Sequence, residues 1–532
     1  MKSSGRSKAA PRLLTVAASI ATLALALPSI YLVIRNFTAD ADPFGLIGTD
    51  RVRGPLWRTI SLAVLVSAST AVLGTAMAWL TTRTNLPFRK LFGVLLVLPL
   101  VYPTFIGAAA LVRTLGPGGL LSDLFGFNTP SITGLTGAWL VLTLLTFPYV
   151  YLPVAARLSR LPSSIEQSAR LLGDSMASVL FRVILPQVSG SIGAGVLLVF
   201  LYAISDFGAV SILRYDTLTR AIENNQLANR PVALALSLVL LILAAIVVLF
   251  ERRLNARSTV PNVTRSQARS APIQLGATRP LAFAAVLATI ALSVGAPLAA
   301  LLNWSIRGLI TANDTGRRIV VDTGDVAEVT SNTLGVSVIA ALISVAVVLP
   351  IALLVGRYRS AIGTVGHAVA ISTFALPGIL IALAGTFFIR QTDWTFDTFN
   401  NSMAILIFAY IVRFAALAMG TVLVAVLAVP ARLRDASQTL GATERQRFVN
   451  VDLPLMTPGL LAAAGLVLLS TMKELPISLL LSPFEFETLA TRIFSTFSEA
   501  FVTEAGIMAL TLVVLSFVAT WALIIRPLAK SR

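Results

Sequence analysis

The chain alternates long apolar blocks with short polar stretches that are rich in arginine. The apolar blocks run at about 13–35, 57–80, 91–112, 134–156, 189–213, 232–250, 281–305, 333–355, 365–389, 402–427, 459–481 and 505–525. A helix needs roughly 20 apolar residues to cross a bilayer, so each block predicts one span, about twelve in all. The blocks are too long for barrel strands, and few strand-like alternations compete. The pattern predicts an all-α membrane protein. The first block follows a charged start, as a signal peptide does. Its apolar run is longer than the roughly 7–15 residues of a signal-peptide core, so a retained first helix is expected.

Composition supports this pattern. The chain is 56% hydrophobic and 12% charged, about half the charged fraction of a soluble domain. The net charge of +17 is spread over short loops and not gathered on one soluble face. Membrane lipid is therefore expected as a partner, and nucleic acid is not. Twelve spans put both termini on one side. The loops on that side carry 26 lysines and arginines, and the opposite loops and rims carry 13. That excess predicts cytoplasmic termini.

The stretch 251–280 is polar and rich in Arg, Ser and Pro, which reads as a cytoplasmic linker. It separates two six-span domains, 1–250 and 281–532, that match each other. Thr59 stands opposite Thr333 and Pro103 opposite Pro377, both pairs 274 apart. Pro162 matches Pro430, Gly173 matches Gly441 and Pro186 matches Pro454, all 268 apart. The change of offset falls in an outer loop, where length differences are tolerated. Two six-span halves of the same orientation form a parallel repeat, which predicts a pathway between them.

Each half also places a polar, glycine-centred stretch on the cytoplasmic side. In the first, Ser163 and Glu166 make a capping box. Gly173 closes that helix, and a second helix is expected to end at Pro186. In the second, Gly441 closes the first helix, Thr443 and Gln446 cap the next, and Pro454 ends it. Such a helix–Gly–helix elbow is suited to a groove in a soluble partner.

These elbows resemble the E-A-A…G…L-P loops of the permease subunits of binding-protein-dependent ABC importers. The first copy reads Gln167-Ser168-Ala169, Gly173 and Leu185-Pro186, with Glu166 beside the departing acidic position. The second reads Asp435-Ala436-Ser437, Gly441 and Leu453-Pro454. The stretches 204–222 and 472–494 further resemble the fused two-domain permeases of the ferric-iron type, whose relatives carry thiamine or phosphonates. The resemblance implies a bacterial inner-membrane permease coupled through both elbows to a cytoplasmic ABC ATPase dimer. It also implies an extracytoplasmic solute-binding protein, with ferric iron as the expected cargo. No lysine follows a glycine in a P-loop pattern. ATP hydrolysis is therefore expected on a separate ATPase subunit that binds ATP and magnesium, with no enzyme activity and no cofactor expected in this chain.

Ionisable residues in spans are candidates for the pathway. Asp206 and Glu474 are 268 apart in the fifth and eleventh blocks, Lys473 adjoins Glu474, and Arg413 lies in the tenth. They either line the route between the halves or form a buried ion pair. Pro103 and Pro377 are candidates to kink or break matched spans. With no cysteine and a lone histidine, His367, no metal-binding or catalytic residue is assigned. The alternative of another class is an ion-gradient-driven transporter with Asp206, Glu474 and Lys473 as a relay, which leaves the repeated elbows without a role.

Overall fold

The computed structural model describes residues 10–38, 43–119, 122, 126, 130–161, 171, 173, 175, 178–257, 272–314, 323–358, 360–499 and 501–522. Among them, ten helices are long and apolar enough to cross a membrane. They are Arg12–Thr38, Asp50–Arg83, Gly134–Leu158, Val179–Ser205, Arg230–Phe250, Gly276–Arg307, Gly324–Tyr358, Met403–Ala428, Glu444–Thr471 and Thr503–Thr520. Two more blocks form bent pairs, so the set counts up to twelve spans. No strand occurs among the described residues beyond an isolated bridge between Thr84 and Ile273. The fold class is the all-α membrane architecture that the hydropathy predicts.

The bent pairs are the third and ninth spans. Arg89–Val101 meets Thr104–Leu115 at 106°, and Ala361–Ala375 meets Gly378–Ile389 at 102°. The break falls at the matched prolines. Pro103 and Pro377 have φ near −57° and −55° with ψ near 140°. Each caps the second limb without entering it. Proline drives the residue before it out of the helical region, and Tyr102 accordingly has ψ 126°.

The elbows join their spans differently from the sequence expectation. Pro186 and Pro454 do not end a helix. A π-turn at Val179–Ile184 runs directly into Leu185–Ser205, and another at Phe448–Asp452 runs into Leu453–Thr471. An interior proline clashes with the carbonyl four residues back. A wider turn just before the proline relieves that conflict, and the helix continues.

The chain packs as two compact units that cross the repeat boundary. One unit joins the first span to 320–496 and 511–532. There Tyr31 donates to Gln391 Oε1 at 3.0 Å and meets the Phe388 ring edge-on. The other joins 44–319 to 497–510. There the seventh span lies on the third, with the Thr114 hydroxyl donating to the Ala296 carbonyl at 3.1 Å. Between apolar helices in lipid, close approach depends on small residues. Gly195 supplies it where the fifth span meets Val150 of the fourth, since a Cβ there would lie 2.7 Å from the Val150 Cα.

The matched threonines hold a matched turn. Thr59 accepts from the Leu218 amide at 2.8 Å, and Thr333 accepts from the Leu489 amide at 2.7 Å. Each thus fastens the start of a short amphipathic helix, Leu218–Asn225 or Leu489–Ser498. The turns ahead of these helices repeat too, with Arg214 and Glu485 both at positive φ.

Candidate functional site

Asp206 and Glu474 lie beyond the ends of the long helices, not inside the spans as the hydropathy suggests. The fifth span ends at Ser205, the eleventh at Thr471, and short helices follow at Gly208–Ile212 and Pro476–Leu481. Each carboxylate faces the start of the second limb of its broken span.

In the first copy, Asp206 is buried and accepts three hydrogen bonds. The Thr104 hydroxyl donates at 2.6 Å, and the Ala209 and Val210 amides donate at 3.0 and 3.3 Å. Thr104 opens the limb Thr104–Leu115, whose N-terminal dipole also favours an anion. The Asp206 carbonyl accepts from the Thr219 hydroxyl at 2.6 Å. One residue thereby ties together the fifth span, the broken third span and the helix that starts at Leu218.

The second copy makes the same clasp with different chemistry. Gly378 occupies the position of Thr104, and a Cβ there would collide with Glu474 Oε1. The longer acid fills the space that the threonine side chain takes in the first copy. Its counter-charge is Arg413, with Nε 4.0 Å from Oε2. Arg413 stands where the first copy has Leu145, 268 residues earlier. Its guanidinium also donates to the carbonyls of Leu376 and, at 3.5 Å, Phe374. Those carbonyls are freed by the break in the ninth span. The Glu474 carbonyl accepts from the Ser478 hydroxyl at 2.7 Å, and Ser478 is 2.6 Å from the Tyr410 hydroxyl. Lys473 sits half-buried in the same turn. The structure thus brings Glu474, Arg413 and the residues beside Pro377 together, and Asp206 to the residue after Pro103.

Thr104→Val tests the first clasp. It removes the one hydroxyl donor to a buried carboxylate, which costs about 1–3 kcal/mol. The expected result is a lower unfolding temperature in detergent, with Thr104→Ser close to the parent.

The second elbow is described throughout. Ala431–Thr439 ends in a Schellman motif, with the Gly441 amide donating to Gln438 O and the Ala442 amide to Ser437 O, both at 3.0 Å. Gly441 takes φ +80°. Thr443 and Gln446 form the expected capping box. Asp435 and Ala436 are exposed, as is Leu440 at 87%. In the first elbow Gly173 takes φ +92° and Leu171 is 89% exposed. Glu166, Gln167, Ser168 and Ala169 lie outside the described residues, as does the expected box at Ser163. Leu185 and Pro186, like Leu453 and Pro454, sit at the start of a span just after its π-turn.

A family model described as the binding-protein-dependent transport system inner membrane component matches residues 70–260 and again 348–528. The chain belongs to this family. Membership makes it a permease subunit of an ABC importer and a multi-pass membrane protein. Among similar proteins, the Fe(3+)-transport system permease protein FbpB 2 of Haemophilus influenzae is 29% identical over 525 residues, 95% of this chain and 96% of that one. The sulfate transport system permease protein CysW of Escherichia coli is 28% identical over 240 residues, 43% of this chain and 82% of that one. A probable molybdenum ABC transporter permease protein of Haloferax volcanii is 30% identical over 165 residues, 31% of this chain and 60% of that one.

Sequence reasoning missed Thr104, Gly378, Tyr410 and Ser478. The first two were findable, because each directly follows a matched proline and the pair differs in size opposite to the Asp206–Glu474 pair.

Proposed function

We propose that this permease imports ferric iron, handed over by an extracytoplasmic binding protein and driven by a separate cytoplasmic ATPase dimer that binds ATP and magnesium. The observation that carries the cargo is the match along almost the whole chain to a permease named for Fe(3+) transport, fused repeat included. The sulfate relative matches 43% of the chain. One chain, carrying both repeats, completes one permease. Its setting is the bacterial inner membrane with cytoplasmic termini and elbows.

The geometry supplies a lever for this work. The elbow helix of the second copy and the π-turn of the first both pass into their spans without a break, so Val179–Ser205 and Glu444–Thr471 are each continuous rods. A rod of this length reaches roughly 40 Å at 1.5 Å per residue. ATPase closure displaces the elbow at one end. At the other end the rod carries Asp206 or Glu474, which grips the second limb of the broken span. Elbow motion thereby shifts the half-helices beyond Pro103 and Pro377, the elements we assign to the solute route. A gradient-driven transporter has no use for this linkage.

Uptake into proteoliposomes holding this chain and its ATPase tests the cargo. Radioactive ferric ion should accumulate with ATP inside and loaded binding protein outside. Accumulation of sulfate, molybdate, thiamine or phosphonate without iron would replace the cargo and keep the lever.

A further inference from the structure

A buried charge cluster attaches the second elbow to the transmembrane helices. Asp452 is fully buried at the π-turn where the second elbow enters the eleventh span. Arg357, at the cytoplasmic end of the eighth span, places Nη1 2.6 Å from its Oδ2. Arg447, on the elbow helix, places Nε 3.8 Å from the same oxygen. Arg357 Nη2 also reaches Met456 Sδ at 3.7 Å, one turn further along the eleventh span. One carboxylate oxygen thus joins the elbow, the eleventh span and the eighth span.

The first copy carries different residues at the matched positions. Arg83 stands 274 residues before Arg357, but Ile184 replaces Asp452 and Val179 replaces Arg447, each 268 residues earlier. Arg83 donates to the Leu161 carbonyl at 3.2 Å. The loop beside Arg83 is held by the end of the inter-repeat linker. Ile273 N donates to Arg83 O at 2.8 Å, and Leu275 N donates to Asn85 Oδ1 at 3.1 Å.

We infer that Asp452, with Arg357 and Arg447, is the positioning cluster that makes the second elbow move with its transmembrane helices. A buried charge cluster of this kind holds one arrangement tightly, because any separation strands a charge at low dielectric. Ile184 and Val179 supply no charge for such a cluster at the matched positions of the first copy. Arg357 Nε, Arg447 Nε and Asp452 Oδ1 make no hydrogen bond, so the same three side chains retain capacity for a second pairing as the elbow turns. The inference rests on the reading that the ATPase docks on the elbows.

Asp452→Asn tests it in two arms. In the isolated permease, amide hydrogen exchange across 444–455 should rise about tenfold or more as the junction loosens. In the complex, the variant should retain bound ATPase while binding-protein stimulation of hydrolysis falls about tenfold or more. The chain has no cysteine. In Arg357→Cys/Asp452→Cys the introduced thiols are therefore the sole thiols before the ATPase is added. Bridging them with a cleavable bis-methanethiosulfonate reagent should restore stimulation, and reduction should remove it again. A merely structural role would not give this reversibility. Unchanged exchange and stimulation in Asp452→Asn would overturn the inference, and so would a bridge that restores nothing. If the parent chain binds no ATPase, the functional reading fails, and the exchange arm alone decides whether the junction holds the elbow.

Discussion

Arg413→Met should cost the chain most of its stability, and adding Glu474→Gln should restore a large part of it. Arg413 supplies the counter-charge to a mostly buried Glu474 and the donor to the Leu376 and Phe374 carbonyls at the break in the ninth span. Removing one partner of a buried pair leaves the other charge uncompensated, which costs about 3–5 kcal/mol. Glu474→Gln removes that charge, so the double variant bears only the unpaired break carbonyls, about 1–3 kcal/mol. Glu474→Gln alone should be milder than Arg413→Met, because Arg413 keeps its carbonyl acceptors. Thermal unfolding in detergent reads all three variants. The first copy shows why the double change is tolerable, since Leu145 already stands where the second copy has arginine. An Arg413→Met protein as stable as the parent would show that the clasp bears no load.

Gly441→Pro should abolish coupled transport while leaving the membrane bundle folded. Gly441 needs φ +80°, and its amide donates to Gln438. Proline holds φ near −65° and has no amide hydrogen, so it fails on both counts, at roughly 3 kcal/mol or more. The damage stays local because the elbow surface around it is exposed. Gly441→Asn separates conformation from bulk, since asparagine enters the left-handed region far more readily than other side chains. The asparagine variant should keep most of its ATPase association and transport, and the proline variant should lose both. Equal behaviour of the two would remove the Schellman turn from the coupling account.

The spans were legible because lipid demands continuous apolar length, and the second elbow because Gly441 and the Thr443–Gln446 capping box punctuate its polar stretch. The breaks in the third and ninth spans were not. Both limbs of each are equally apolar, and proline alone does not signal a break. Pro28, Pro350 and Pro458 sit inside unbroken helices. Asp206 reads as intramembrane because apolar residues continue past it, from Ile204 through Phe207 to Val210. Its cap geometry follows from Thr104, which is distant in sequence. The π-turns before Pro186 and Pro454 leave no mark in hydropathy. The exchange of the first and seventh spans between packing units was illegible for a similar reason, since an apolar helix does not name the helix it packs against. The size swap of Thr104–Asp206 for Gly378–Glu474 was written in the repeat, and only the offset of 274 for one pair and 268 for the other kept it from view.

The most direct test measures ATP hydrolysis by this chain in nanodiscs with its candidate ATPase, with and without ferric-loaded binding protein. The account predicts stimulation by the iron-loaded protein, no stimulation by its empty form, and loss of the response in Gly441→Pro. Failure of the ATPase to associate with the parent chain would contradict it.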